Sequence, residues 1–346
     1  MSAVPIAVYG ATGHTGRLVA TELLARGHPV VLGGRDATGL IALAADLGEG
    51  DRVTVRPAAL DDPDALRALA ASAPVLIHCA GPYARTGPPV VAAAIDAGAH
   101  YVDHAVEVHH VKDLFETYTA PAERAGVLVC PGLSFYGGFG DFLAAQAAQG
   151  LPAVDSVTVA YAVSGWRMTT GARRTADLLI NEVERITFTD GGQRVGPLPM
   201  YTTTYVFPAP LGPRTMIGPF PTGDAVTIPR HVPTRAVEVL LTATTFTEPQ
   251  VFTSEHADAT ERAATAFTVA AEVRAGDVHR TAHITGHDIW WAGAVASVEA
   301  ALDLALDRPG PRSGVRSPAE AFRAEEFLRR LEELGAFVLA VDTLPN

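Results

Sequence analysis

Short apolar runs alternate with amphipathic stretches along the first 130 residues of the chain. Ile6 to Tyr9, Val30 to Leu32, Val53 to Val55, Val75 to His78, Tyr101 to Asp103 and Val127 to Val129 read as strands. Helical patterns fill about 14–26, 38–47, 62–72, 87–97 and 108–125 between them. Buried runs separated by helices of this length predict a parallel sheet with right-handed crossovers. The count of strands and connections matches a complete doubly wound domain.

After Pro131-Gly132 the period changes. Strands lengthen and alternate at Ser156 to Tyr161, Thr202 to Phe207, Val237 to Thr245 and Phe267 to Arg274, and Gly and Pro cluster between 191 and 233. That texture predicts turns around an antiparallel sheet. One helix is expected at about 171–185, another over 290–307, and a last helical region from Pro318 to about 334. The fold class is therefore α/β: a Rossmann doubly wound parallel sheet joined to an α+β domain with a mostly antiparallel open sheet.

Composition narrows the function. A chain of 346 residues is long for one domain. A formal net charge of −12 argues against nucleic acid and against an anionic membrane surface. No apolar run approaches the ~20 residues needed to cross a bilayer. The first strand starts almost at once, which leaves no room for a signal peptide, so a cytoplasmic protein is expected. Cys79 and Cys130 each end an apolar run and read as small core residues at strand ends, with no disulfide framework or metal spacing.

The junction of the first strand and first helix reads Gly10-Ala11-Thr12-Gly13-His14-Thr15-Gly16. A pyrophosphate needs backbone amides at close range and the positive end of a helix dipole. Gly10 would make the turn, Gly13 would admit the diphosphate, and Gly16 would let helix and strand pack. The second strand ends in Gly33-Gly34-Arg35-Asp36, where an NAD-binding domain usually carries an acid for the ribose hydroxyls. Glycines leave room there, and Arg35 can pair with a 2′-phosphate, so NADP(H) is the expected cofactor. The plainer alternative is a solvated Arg35 with Asp36 as its partner. Asp61, after the third strand, is a candidate for the adenine amino group or, equally, a helix N-cap or first-turn acid. Cys79, Ala80, Gly81 and Pro82 follow the fourth strand, so they would run along the cofactor toward its nicotinamide.

Lys112 is the only lysine in the chain, which excludes a Tyr-x-x-x-Lys pair, because Val108 stands where the tyrosine would be. A Schiff base on Lys112 is discounted, since its surroundings read as an exposed helix. His104, His109 and His110 crowd around Glu107 and invite a metal reading, but adjacent histidines face different ways on a helix and nothing completes a site, so no metal is expected. His104 and Glu107 follow the fifth strand, at the cofactor edge, and with Tyr83 they are the candidates for proton transfer or substrate orientation. Tyr136 and Asp141 are further candidates. Arg167, Arg173 and Arg174 flank the second-domain helix and would either pair with a substrate carboxylate or stay solvated.

With these motifs in place the chain resembles the saccharopine dehydrogenase-like oxidoreductases, including bacterial members of the trans-acting enoyl reductase type. The resemblance rests on Gly10 to Gly16, Gly34-Arg35-Asp36, Gly81-Pro82-Tyr83 leading into Gly87 to Val91, Ala97 to Asp103 with Glu107, and Pro131-Gly132. Weaker echoes are Thr170-Gly171, Gly286 to Asp288 and Gly314 to Glu320. Relatives tend to read Gly-Phe-Asp-Ser-x-Pro after the sixth strand, whereas this chain has Ser134-Phe-Tyr-Gly-Gly-Phe-Gly-Asp141, which unsettles any transfer of substrate. The resemblance implies an inserted α+β domain, C-terminal helices that return to the Rossmann domain, often a homodimer, and hydride transfer to C=N or C=C. The expected organisation is a dinucleotide-binding domain over 1–132, a substrate and dimerisation domain over 133–286, and returning helices over 287–346. The expected function is an NADPH-dependent reductase of a small or medium imine or activated alkene. The rival is a redox sensor that binds NADP(H) without turnover.

Overall fold

Each of the six apolar runs forms a strand of one parallel sheet in the computed structural model, which describes residues 3–181, 184–248, 251, 258–306 and 313–344. The strands are β1 (Ile6–Tyr9), β2 (Val30–Gly34), β3 (Val53–Pro57), β4 (Val75–His78), β5 (His100–Asp103) and β6 (Leu128–Cys130). Helices α1 (His14–Ala25), α2 (Ala37–Leu47), α3 (Pro63–Ala70), α4 (Tyr83–Asp96) and α5 (Val108–Ala125) connect them. The sheet runs β3-β2-β1-β4-β5-β6, so the order reverses between β1 and β4 and leaves a crevice at their carboxyl ends. Both faces of β1 and β4 are buried, which is why their sequences are continuously apolar and do not alternate.

The second part begins with α6 (Gly138–Ala147), β7 (Ser156–Ser164) and α7 (Thr170–Asn181). It continues with β8 (Arg185–Thr189), β9 (Gly192–Gly196), β10 (Tyr201–Phe207), β11 (Gly212–Gly218), α8 (Asp224–Thr227) and β12 (Val237–Thr242). After α9 (Ala259–Ala263) come β13 (Ala266–Ala275) and β14 (Val278–His287), then α10 (Ile289–Ala305). The chain closes with β15 (Gly314–Val315), α11 (Pro318–Ala321), α12 (Ala324–Glu333) and β16 (Val338–Leu344). Strands β10-β11-β12-β7-β13-β14-β16 form a second sheet, with the β8–β9 hairpin attached to β12. Its pairings are antiparallel except β12 with β7.

Several sequence expectations need correction. The fourth helix starts at Tyr83 and not at 87, because Glu107 satisfies the amides of its first turn. The strand expected over 237–245 stops at Thr242, where a 3₁₀ turn over Ala243–Phe246 takes over. The C-terminal region is not helical throughout. β15 adds a seventh strand to the parallel sheet beside β6, and β16 pairs with β14 in the second sheet. β15 has two residues and no readable period, while β16 is an edge strand whose Val338 and Val341 are exposed.

α10 is buried almost all round, as expected of a helix that is apolar on every side. It lies on α1 and against β4 and β5 of the first sheet. Its two buried acids hold it in place. Glu299 receives Arg26, at the C-terminus of α1, at 2.7 Å and Arg330 of α12 at 2.9 Å, and Asp303 receives Arg330 as well. Buried pairs of this kind cost desolvation and fix register more than they add stability. No helix among the described residues is long and apolar enough to cross a membrane.

Candidate active site

The carboxyl ends of β1, β2 and β4 face the second sheet across a cleft of about 1,210 Å³. Gly10, with φ of +80°, turns the chain out of β1. A Cβ there would lie 2.7 Å from Ala80 Cβ and 2.9 Å from Ala80 N. At Gly16 a Cβ would stand 2.3 Å from the Gly10 carbonyl oxygen, so this glycine is required by packing and does not line the cleft. Gly13 caps α1 without any side-chain hydrogen bond, and the first turn of α1 holds no acid. The helix therefore presents open amides and an uncompensated dipole to whatever enters. That cradle fits a dinucleotide pyrophosphate.

Thr12, Gly13, His14 and Thr15 line the cleft, as do Gly34, Arg35 and Asp36 from the end of β2. Asp36 is committed elsewhere, since its carboxylate caps α2 by accepting the Gly39 amide at 3.0 Å. Arg35 is exposed, and no ion pair or hydrogen bond holds it among the described residues. The alternative of an Arg35–Asp36 pair is not what the structure shows. Asp61 is exposed and does not line the cleft; Asp62 caps α3 by accepting the Ala65 amide at 3.0 Å, and Leu60 faces the cleft. Cys79, Ala80, Gly81 and Pro82 line the cleft beyond β4, and burial pushes the Cys79 thiol up.

The three expected catalytic side chains meet different fates. Tyr83 touches the cleft, but its hydroxyl donates to the His78 carbonyl at 3.1 Å, and burial holds its pKa well above the usual tyrosine range. The Glu107 carboxylate is buried and accepts Tyr83 N at 2.6 Å, Ala84 N at 3.2 Å and the Thr175 hydroxyl at 3.1 Å. It therefore anchors the start of α4 and ties it to α7, and does not face the cleft. Burial raises its pKa, with the His110 charge and these hydrogen bonds pulling the other way. His104 does line the cleft, and its Nε2 is buried with no hydrogen-bond partner. Burial lowers its pKa to about 4, which leaves the ring neutral near pH 7.

His109 and His110 diverge. His109 Nε2 meets the Glu184 carbonyl at 3.0 Å, while His110 Nε2 meets Asp103 Oδ2 at 3.1 Å. Among the described residues no group of three His, Cys, Asp or Glu side chains is placed to share a metal ion. Asp103 is the centre of a buried network that the sequence did not announce. Its carboxylate accepts the Tyr101 hydroxyl at 3.0 Å and the amides of Ala105 and Gly132 at 3.0 and 2.7 Å. Burial works to raise its pKa, but His110 and these amides hold it below the usual range. Because Tyr101 donates to Asp103, the His78 Nδ1 at 2.8 Å must be the donor to Tyr101. Burial drives His78 down to about 3, so it too is neutral. The network ties β4, β5 and the loop after β6 together beneath the cleft.

The loop after β6 carries Tyr136 and Asp141. Tyr136 lines the cleft, and its hydroxyl is buried with no hydrogen-bond partner. Behind it, Tyr161 donates to the Asp224 carboxylate at 3.1 Å and accepts Gly137 N at 3.0 Å. Gly140 makes room for that pair, since a Cβ there would sit 2.1 Å from Asp224 Oδ1. Burial pushes Asp224 up to about 7. Asp141 points away from the cleft to His231 at 2.8 Å and the Ala319 amide at 2.8 Å. The far wall is apolar, with Trp166, Met168, Phe220, Phe246 and Trp290. Arg174 lines the cleft, whereas Arg167 pairs with Glu261 at 3.2 Å.

The family model of the saccharopine dehydrogenase NADP binding domain matches residues 6–130. A trans-acting enoyl reductase of Mycobacterium tuberculosis is 34% identical over 140 residues, covering 36% of this chain and 31% of that protein. A saccharopine dehydrogenase-like oxidoreductase of Arabidopsis thaliana is 30% identical over 140 residues, covering 37% and 31%. The matched part thus spans about a third of the length of these relatives. Saccharopine dehydrogenase (L-Glu forming) from Saccharomyces cerevisiae superposes over 99% of this chain and 100% of its own, with a TM-score of 0.68 at 13% identity. The two share a fold through both sheets.

Proposed function

We propose, from the match of residues 6–130 to the saccharopine dehydrogenase NADP binding domain, that the chain is an NADPH-dependent reductase. Its acceptor is a small or medium organic molecule with an activated C=C or a C=N bond. The observation that carries this reading is one continuous cleft, which runs from the Gly10–Thr15 cradle to an aromatic and apolar wall that includes residues of the second sheet.

When bound, NADPH supplies the hydride, and the protein supplies position and electrostatics. Gly10, Thr12, Gly13, His14 and Thr15 hold the pyrophosphate at the start of α1. Arg35 pairs with the 2′-phosphate, free to do so because Asp36 serves α2. Cys79 to Pro82 pass along the nicotinamide side. Trp166, Met168, Phe220 and Trp290 exclude water and favour an apolar acceptor over one that carries several charges. His104, neutral and with Nε2 unpartnered, is a donor or acceptor toward the bound molecules.

The test is a titration of the protein with NADPH and with NADH at equal salt, followed by nicotinamide fluorescence. A charge-assisted contact at Arg35 is worth roughly 1.5–3 kcal/mol, so NADPH is expected to bind about 10- to 150-fold more tightly. Equal affinity for both would remove Arg35 from the site, and binding of neither would defeat the reading.

A further inference from the structure

We propose that Tyr136 is a catalytic residue whose hydroxyl donates a hydrogen bond to the carbonyl oxygen of an α,β-unsaturated acceptor. The proposal rests on the reductase reading above and adds to it the group that stabilises the developing charge.

Tyr136 stands in the loop after β6, next to the loop after β5 that carries His104, because β5 and β6 are paired neighbours. Both side chains line the same cleft. The Tyr136 ring is boxed by Phe135, Tyr161 and Phe220, with centroids 4.9, 5.2 and 5.4 Å away. The loop itself is pinned by the 3.0 Å hydrogen bond from Gly137 N to the Tyr161 hydroxyl, which is in turn bound to Asp224. A phenol ring held this firmly keeps its hydroxyl at a fixed place, yet that hydroxyl meets no partner in the protein. Buried polar groups are normally satisfied, so an unpartnered hydroxyl on a residue that lines the cleft is available to a bound molecule or an ordered water.

Neighbouring hydroxyls at Tyr83, Thr86 and Thr175 are engaged. Tyr83 donates to the His78 carbonyl, Thr86 to the Ala80 carbonyl, and Thr175 to Glu107. Tyr136 and His104 thus offer neutral hydrogen-bonding groups where the acceptor would sit. Such groups suit an oxygen that gains negative charge. They give no help to an iminium ion, which calls for a carboxylate: Glu107 and Asp141 are turned away, and the acids that do line the cleft, Asp36 and Asp177, have partners in the protein.

The hydride adds to the β-carbon, forming a C–H bond, while the C=C π pair moves toward the carbonyl oxygen and gives an enolate held by the Tyr136 O–H. A solvent proton then adds to the α-carbon and restores the carbonyl. The alkene is reduced by two electrons, NADPH is oxidised by two, and Tyr136 keeps its proton. Its burial, which pushes the phenol pKa up, favours that outcome.

Tyr136→Phe is the test, because phenylalanine fills the same ring box and the lost hydroxyl bonds to nothing in the protein. Wild type and variant are compared for thermal midpoint, NADPH affinity, and kcat and KM on a panel of 2-enals and 2-enoyl thioesters. Dimethylaminocinnamaldehyde, a chromophoric enal whose absorption moves to longer wavelength when its oxygen is hydrogen-bonded, is added with NADP+ as a non-reacting pair. The expected result is an unchanged midpoint and NADPH affinity, a fall in kcat of on the order of 100-fold or more, and loss of the red shift seen with wild type. A kcat within threefold of wild type, an equal or absent red shift in both proteins, or a parallel fall in midpoint and turnover would overturn the proposal. Turnover by wild type that Tyr136→Phe leaves intact defeats this proposal alone. Failure of wild type to oxidise NADPH with any acceptor defeats the reductase reading as well.

Discussion

Tyr83 and Glu107 stand where a proton donor would be sought, yet both commit their polar atoms to the protein. A chain position at the cofactor edge of the sheet is visible in sequence; the direction of a side chain is not. The same holds after the second and third strands: the Asp36 carboxylate is spent on capping α2, and at the start of α3 it is Asp62, not Asp61, that caps the helix. Glycines are more legible, because a missing Cβ constrains the backbone itself. Gly10→Ala would force a Cβ into the left-handed region, costing about 1–2 kcal/mol before any clash with Ala80 is counted. The expected outcome is a lower thermal midpoint together with loss of NADPH binding by fluorescence. Arg35→Ser is the complement. Arg35 is exposed and unpaired among the described residues, so the midpoint should stay within about 0.5 kcal/mol of wild type. The preference for NADPH over NADH should fall tenfold or more, and an unchanged preference would place the 2′-phosphate elsewhere.

At the scale of elements, α4 shows how a catalytic-looking residue becomes architecture. Its first-turn amides have no intrahelical acceptor, and Glu107 reaches across from the loop after β5 to accept two of them. Each orphaned amide costs about 1–3 kcal/mol, so Glu107→Ala should lose about 2 kcal/mol or more in urea unfolding. A catalytic Glu107 without this role would instead leave stability intact and abolish turnover. Strands β1, β2 and β4 were readable because both of their faces are buried and their sequences carry no charge, whereas the edge strand β3 is largely exposed and mixes Val53 and Val55 with Thr54 and Arg56. The second sheet was read only in part. β11 and β14 follow tight turns within a stretch dense in Gly and Pro or polar residues, and β8 and β9 are largely exposed on one side. Pattern alone could not separate those strands from loops.

For the whole molecule, the two sheets define the cleft together, and neither sequence half alone shows it. The buried acids record that assembly. Asp224, near the junction of α6, β7 and α8, has its pKa raised to about 7 by burial, against an ordinary value of 3.8. A carboxyl raised in the folded state favours folding while protonated, so its contribution is full below about pH 4 and is lost as pH rises through about 7. Asp224→Asn removes this dependence. The variant should therefore gain on wild type as pH rises from 5 to 8 in parallel urea titrations, and curves that stay parallel would show that Asp224 does not titrate in that window. Occupation of the cleft should also stabilise the fold, by about 2.7 kcal/mol at NADPH one hundred times its Kd.

The central claim is hydride transfer to an organic acceptor in this cleft, and deuterium labelling tests it most directly. The protein is mixed with NADPH carrying deuterium at both C4 positions and with the panel of enals, enoyl thioesters and imines, and products are read by mass spectrometry. The expected result is a reduced product one mass unit heavier than that formed with unlabelled NADPH, with the label on the carbon that received the hydride. NADPH that binds tightly but transfers no deuterium to any acceptor would contradict the account and favour a protein that senses the cofactor without consuming it.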